Sequence, residues 1–276
     1  MGSATNYVLG RSTHEYERLM LQARVVRPYT EAFFRAAGLA PGMRVLDLGS
    51  GAGDVALLAA DIVGPSGRVV GLDRDATGLE RARRRTEEQG CSSWVTFQAT
   101  HLEDFSTEEL FDAVVGRYIL MYQPDPAATI RELTRFLKPG AIIAFHEMDF
   151  TDPHSSYPPC EPWDQIYRLL SEVFRRGGAP PDFGRRLGKV FLDAGLPFPV
   201  LAAECVMGGG RGSFVFPWIA NTVVSLVPRI ADLGLALPAG MTADHTLAAK
   251  LEDAVVAQGS QITGPQQFGA WTRMPF

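Results

Sequence analysis

Two carboxylates and the glycines between them carry the most chemistry in this sequence. Asp47 lies in the apolar run Val45-Leu46-Asp47-Leu48, and Gly49, Ser50, Gly51, Ala52 and Gly53 follow it. A helix-like run then opens at Val55. This order reads as a strand, a tight turn and a helix start. Glycines in such a turn let the backbone approach a ligand closely and take a positive φ without a Cβ clash. The open amides at the helix start favour a negative group. A second acid, Asp73, closes another short apolar run, Arg68-Val69-Val70-Gly71-Leu72-Asp73. A carboxylate at a strand end can accept hydrogen bonds from both hydroxyls of a ribose. The pair therefore points to a nucleotide-like ligand that carries a sugar and an anionic group.

Glycine spacing separates two ligands of that kind, NAD and S-adenosylmethionine. The dinucleotide pattern G-x-G-x-x-G would need a glycine at position 54, where this chain has Asp54. An acid at 47 leading into glycines at 49, 51 and 53 instead resembles motif I of the class I S-adenosylmethionine-dependent methyltransferases that act on small molecules. Asp73 matches that family's acid at the end of the second strand. Phe111-Asp112-Ala113-Val114-Val115-Gly116 resembles its fourth strand, and Leu137-Lys138-Pro139-Gly140 followed by Ala141 to Phe145 resembles its turn and fifth strand. The resemblance covers roughly residues 40 to 150.

It implies S-adenosylmethionine as cofactor, bound by Asp47, Gly49, Ser50, Gly51, Gly53, Asp73 and Arg74, and methyl transfer to a small organic acceptor of the kind met in specialised metabolism. Asp47 could orient the loop or meet the methionine ammonium through water. One position departs from the pattern. The loop after the third strand usually carries an Asp for the adenine amino group, and here it holds His101, with Leu102 and Glu103 following. Adenine recognition is therefore expected from backbone groups at Leu102 or from His101 itself.

Methyl transfer from a sulfonium is an in-line displacement, so the protein must chiefly align the acceptor and exclude water. An oxygen or nitrogen acceptor can also need a general base. His146-Glu147-Met148-Asp149 follows the fifth strand. His146 is the first candidate base, because its reference pKa suits proton transfer near neutrality. Glu147 is the second. Arg117, after the fourth strand, could bind a carboxylate of cofactor or substrate, or pair with Glu147 or Asp149. Tyr7 and Arg11 precede the first helix and are expected either to close over the cofactor as a lid or to form a loose terminus. Tyr7, Tyr118 and Tyr122 could line the sulfonium. Arg81, Arg83, Arg84 and Arg85 read as a solvated helix face.

These residues need a scaffold, and the pattern supplies a Rossmann-like α/β fold. Two N-terminal helices are expected, the first introduced by the capping box Ser12-Thr13-His14-Glu15 and the second running from Tyr29 to Ala37 after Pro28. Strands at 45–48, 68–73, 94–99, 113–116 and 141–147 alternate with helices at 54–63, 76–89 and 126–136. That alternation means a parallel, doubly wound sheet. Helices at 163–176 and 183–194 and a sixth strand at 200–207 follow, then apolar helices at 214–235 and 244–258 and a seventh strand at 267–273. The whole is read as one domain with a seven-stranded sheet: a helical lid at 1–40, a cofactor core at 41–150, substrate-side helices with the sixth strand at 151–207, a helical cap at 208–262 and a terminal strand at 263–276. The cap's aromatic and aliphatic residues, such as Phe214, Phe216 and Trp218, serve as core or lend a wall to an acceptor pocket.

The chain has 276 residues, 46% of them hydrophobic, with a formal net charge of −5. That balance argues against a nucleic-acid partner, whose footprint is basic. No run approaches membrane-spanning length without a proline or charge, and no signal-peptide stretch opens the sequence. Cys91, Cys160 and Cys205 are far apart, which gives no reason to propose a disulfide framework, a metal site, or thiol or arsenic chemistry. A soluble cytoplasmic enzyme is expected, and the apolar cap and N-terminal helices could support a homodimer. Two other readings stand beside methyl transfer: a non-methylating protein on the same fold, and a nicotinamide-dependent oxidoreductase.

Overall fold

A computed structural model describes residues 13–151 and 155–275. The elements run α1 (Thr13–Ala36), β1 (Arg44–Leu48), α2 (Asp54–Val63), β2 (Arg68–Asp73), α3 (Ala76–Glu88), β3 (Val95–Ala99) and β4 (Phe111–Arg117). A short 3-10 turn (Leu120–Tyr122), α4 (Pro126–Thr134), β5 (Leu137–Asp149), β6 (Ser156–Tyr157), α5 (Glu161–Arg176) and α6 (Phe183–Asp193) come next. β7 (Val200–Gly208), α7 (Val215–Ser225), α8 (Val227–Asp232), α9 (Leu247–Gln258) and β8 (Gln261–Arg273) complete the chain.

The chain forms two compact units. One comprises, among the described residues, 27–147, 186–202 and 268–275. Its centre is the parallel run β3-β2-β1-β4-β5. Helix α2 is buried along nearly its whole length, and its small residues Ala56, Ala59 and Ala60 let the helix lie close to the strands. Phe34, Leu57, Leu58, Val69, Val115 and Ile142 fill the core with them. The register places Asp47 opposite Gly71 and Val115, Asp73 opposite Ala99, and Arg117 opposite His146. The chemistry-bearing residues thus gather at the carboxyl ends of the parallel strands.

The other unit comprises, among the described residues, 13–26, 148–151, 155–185 and 203–267. It is packed with rings. Phe150 stacks on Phe174 at 4.9 Å between centroids, Trp163 meets Phe216 edge-on at 6.0 Å, and the Tyr167 hydroxyl donates to the Gly264 carbonyl at 3.2 Å. Asp164 is buried and accepts from the hydroxyls of Ser155 (2.6 Å) and Ser156 (2.9 Å).

The sheet is mostly parallel, as the sequence predicts, but its last strand is longer than expected, starting at Gln261, and pairs antiparallel with β6; there are other local differences. The sheet has eight strands, because the two-residue β6 pairs with the start of β8. Two residues are too few to show a strand period. The two expected N-terminal helices are one, since α1 runs through Pro28. Proline removes a single i→i−4 bond and disturbs one carbonyl, while the buried Phe33 and Phe34 hold the turns that follow. The helix expected over 214–235 is instead two, α7 and α8, with Pro228 in the first turn of the second.

Candidate functional site

The glycine turn is fixed from three sides. From β2, the Leu72 carbonyl accepts from the amides of Gly49 and Ser50, each at 2.9 Å. From the turn after β4, Ile119 covers Gly49: a Cβ there would stand 2.5 Å from the Ile119 Cδ1, and the backbone φ is +71°. Only glycine meets both demands. From α3, Gly78 and Ala82 lie against the turn. A Cβ on Gly53 would come within 2.9 Å of the Ala82 Cβ, and one on Gly78 within 3.2 Å of the Gly51 carbonyl oxygen. Gly51 differs from these. Its φ is +52° and no atom lies within 4 Å of where a side chain would begin, so this part of the turn is open to a ligand's close approach.

Asp73 faces that opening. Its Oδ2 accepts from the Gly51 amide at 2.8 Å and its Oδ1 from the Asp75 amide at 2.8 Å. Helix α3 is capped separately by Asp75, whose Oδ1 accepts from the Thr77 amide at 3.2 Å. Asp73 is thereby held in one rotamer, and each of its oxygens keeps acceptor capacity for a further donor.

Asp47 is fully buried, and neither of its oxygens has a hydrogen-bond partner among the described residues. The buried Ser50 hydroxyl lies near enough to pull on the Asp47 carboxyl, yet no hydrogen bond of good geometry joins the two. Burial pushes the Asp47 carboxyl up to about 7, against the downward pull of Ser50 and Arg117; Asp73 and Asp54 add to the rise. A buried carboxylate without a donor is costly, and buried polar groups that lack a protein partner commonly serve a ligand. A ligand with an ammonium group and a ribose diol fits these acceptors: an acid for the cation, an acid for the diol and an open glycine bonded to the second.

Sequence reasoning misses Arg85. Its guanidinium donates to the Ala52 carbonyl at 2.6 Å and pairs with Asp54 at 2.8 Å. Arg83 donates to the Phe97 carbonyl at 3.1 Å. The basic stretch is therefore not simply a solvated face, and two of its four arginines brace the turn and β3. The signal is present as spacing: Gly78, Ala82 and Arg85 share one helix face, and two small residues there mark a close backbone approach.

Past β4 and β5 lies a second cluster. His146 is fully buried. Its Nδ1 is hydrogen-bonded to the Thr30 hydroxyl at 2.9 Å, and Arg117 donates to the same hydroxyl at 3.2 Å. The His146 ring meets Phe33 edge-on at 5.1 Å and Tyr118 at 5.3 Å. Thr30 is a further residue that the sequence does not flag. Glu147, also fully buried, accepts from the amides of Ile119 (3.0 Å) and Leu120 (2.8 Å) through Oε1. Burial raises its carboxyl to about 8 against those amides. Asp149 is held by Arg185 at 2.7 Å and by the Thr151 amide at 2.7 Å. The ion pair considered for Arg117 with Glu147 or Asp149 gives way to the Thr30 bond, because both acids have other partners.

His101 and Leu102 form the turn after β3, next to Asp73, whose carbonyl accepts from the Thr100 amide at 3.0 Å. The His101 side chain is exposed, and so is that of Arg74. Tyr7, Arg11, Ser12 of the expected capping box and His154 lie outside the described residues. No described helix is long and apolar enough to cross a membrane, and the described residues contain no group of three His, Cys, Asp or Glu side chains placed to hold a metal ion.

Residues 39–173 match a family described as a methyltransferase domain. A 2-phytyl-1,4-naphtoquinone methyltransferase from Synechococcus elongatus is 36% identical over 129 residues, which is 46% of this chain and 53% of that protein. An arsenite methyltransferase from Aquipseudomonas alcaligenes is 35% identical over 135 residues, 45% of this chain and 39% of that one. The matched stretches thus span about half or less of these relatives' lengths. Among solved structures, phospholethanolamine N-methyltransferase 2 from Haemonchus contortus, in complex with phosphomonomethylethanolamine and S-adenosylhomocysteine, is similar with a TM-score of 0.57 and 16% identity. That alignment covers 100% of this chain and 61% of that one, and it speaks to the fold.

Proposed function

We propose that this chain, whose residues 39–173 match a methyltransferase domain, belongs to the class I S-adenosylmethionine-dependent methyltransferases and transfers the methyl group of S-adenosylmethionine to a small organic acceptor. The observation that carries this reading is the Asp73 carboxylate, fixed by the Gly51 amide at the open point of the glycine turn. The unpartnered, buried Asp47 beside that turn supports it.

In this reading Asp73 holds the ribose hydroxyls. The turn Gly49 to Gly53 passes beneath the methionine part, and Asp47 meets its ammonium. Leu102 and His101 border the adenine, with Arg74 and Arg117 at the margins. Bound there, the cofactor supplies a methyl group already activated by its positive sulfur. The chain's own task is then alignment and exclusion of water. We assign proton handling, where the acceptor needs it, to His146. Its ring is oriented through Nδ1 by Thr30 and flanked by Phe33 and Tyr118, an arrangement that fixes the imidazole for exchange at its other nitrogen. Glu147 is bound up with backbone amides, which suits it poorly for the same role.

The two curated relatives are named for a naphthoquinone and for arsenite, which favours a small acceptor. Arsenic chemistry itself is not carried over. Thiolates are the reactive form of cysteine; burial raises the thiols of Cys91 and Cys160 away from it, which leaves Cys205 as the one exposed cysteine.

The test is incubation with methyl-labelled S-adenosylmethionine and a panel of small oxygen, nitrogen and carbon acceptors. Label appearing in an acceptor supports methyl transfer. Tight cofactor binding with no label transferred across a broad panel would favour the non-methylating reading.

A further inference from the structure

The turn after β4 is unusual in its backbone. Tyr118 is the one described residue other than glycine with a positive φ, +54°. It is also buried. A bulky side chain in the left-handed region persists only where its surroundings impose it. Here the surroundings are specific. The Tyr118 amide donates to the His146 carbonyl at 2.9 Å, and the next two amides, of Ile119 and Leu120, both point at the Glu147 Oε1. A single buried carboxylate thus gathers the start of the 3-10 turn.

Two adjacent residues at the start of that turn touch separate parts of the site. The Ile119 side chain covers Gly49, close enough that no Cβ fits between them. It also covers Gly116, where a Cβ would lie 2.9 Å from the Ile119 Cγ2. On the other side, the Tyr118 ring stands 5.3 Å from the His146 ring. A shift of the turn would therefore move the cover of the glycine turn and the neighbour of the imidazole together.

We propose that Glu147 is a positioning residue: by clamping the amides of Ile119 and Leu120 it sets the glycine turn, through Ile119, in register with His146, through Tyr118. This rests on the methyltransferase reading above and adds to it a residue that touches neither the cofactor nor the acceptor. Removing the carboxylate leaves two buried amides without an acceptor and lets Tyr118 relax out of its left-handed conformation. Glutamine keeps a carbonyl oxygen where Oε1 stands, so it preserves the clamp.

The experiment compares the wild-type chain with Glu147→Gln and Glu147→Ala by calorimetric titration with S-adenosylhomocysteine, with amide exchange at residues 118–121 and a thermal melt on the same samples. The expected result is that E147Q binds within about threefold of wild type, while E147A, still folded, binds about tenfold or more weakly and exchanges faster at 119 and 120; tenfold corresponds to about 1.4 kcal/mol, within what leaving two buried amides without an acceptor costs. Wild-type affinity in E147A overturns the proposal. So does an E147Q that binds normally yet loses methyl transfer, because that pattern marks an acid–base residue. If E147A does not fold, Ile119→Ala carries the same test: it leaves the carboxylate clamp and removes the cover of Gly49, so weakened binding supports the proposal and unchanged binding overturns it. Failure of the wild-type chain to bind S-adenosylhomocysteine would instead remove the reading on which the proposal stands.

Discussion

Arg85 and Asp54 form an ion pair of 2.8 Å that joins α3 to the first turn of α2, and both side chains are 16% exposed. The same guanidinium donates to the Ala52 carbonyl. One arginine thereby anchors the end of the glycine turn and the start of the helix that follows.

Replacing Arg85 by alanine should loosen the turn without opening the core. A mostly buried pair that loses one partner destabilises by about 1–3 kcal/mol, less than a fully buried one because water can still reach Asp54. A denaturant melt reads that loss, and S-adenosylhomocysteine affinity should fall by about tenfold, the equivalent of ~1.4 kcal/mol. Unchanged affinity would make Arg85 a helix-packing residue only.

Two glycines two positions apart should behave differently. Gly49→Ala places a Cβ against Ile119 in a left-handed backbone, so it should destabilise the fold by about 2–4 kcal/mol from overpacking and strain combined. Gly51→Ala meets no atom, so only the left-handed penalty of roughly 1 kcal/mol applies to stability. Its effect on S-adenosylhomocysteine binding should be the larger of the two relative to its effect on the melt. If G51A binds normally, the turn does not hold the cofactor.

The buried acids set a pH dependence. Asp47 titrates at about 7 and Glu147 at about 8 in the folded chain, whereas both release their protons near pH 4 when unfolded. Between these limits the folded state binds more protons, so stability falls as pH rises, by about 1.4 kcal/mol per pH unit for each group. The fall should level off once both folded carboxyls have ionised. Asp47→Asn and Glu147→Gln should each flatten the slope of melting against pH; a slope unaltered in both variants would contradict the assignment.

Ligand binding should titrate in the opposite sense. An ammonium group against Asp47 favours the ionised carboxylate, so S-adenosylhomocysteine should bind more tightly as pH rises through 7 and should release protons below it. Calorimetry in two buffers of different ionisation enthalpy detects that release. In D47N the release should vanish.

Thr30 gives a test of the imidazole. Thr30→Val keeps the shape and removes the hydroxyl that bridges His146 and Arg117. It should lower kcat and shift the acid limb of its pH profile, with S-adenosylhomocysteine affinity held within about threefold, an effect below ~0.7 kcal/mol, since Thr30 reaches the cofactor only through Arg117 at its margin. A loss confined to binding would place Thr30 and Arg117 on the cofactor instead.

What is legible in the sequence is local. Asp47, the glycines and Asp73 sit within one strand–turn–helix–strand passage, and their spacing carries their geometry. The interactions that organise the rest are distant in sequence. Thr30 reaches His146 across 116 positions and Arg85 reaches Ala52 across 33, and no period in the chain records such meetings. Glu147 reads as a candidate base because it ends a strand beside His146, but strand alternation turns it toward the amides at 119 and 120. Pro28 and Pro228 show the converse limit: the same residue type lies inside one helix and opens another, according to what the neighbouring side chains bury.

The central claim is that the Asp73 carboxylate and the glycine turn together hold an adenosyl ligand. Calorimetric titration of S-adenosylhomocysteine into the wild-type chain and into Asp73→Ala tests it most directly. The predicted result is saturable binding to the wild type and a loss of about a hundredfold or more in the variant, as expected when two hydrogen bonds to a charged acceptor are removed. Equal affinity in the two proteins, or no binding to well-folded wild type, would contradict the account.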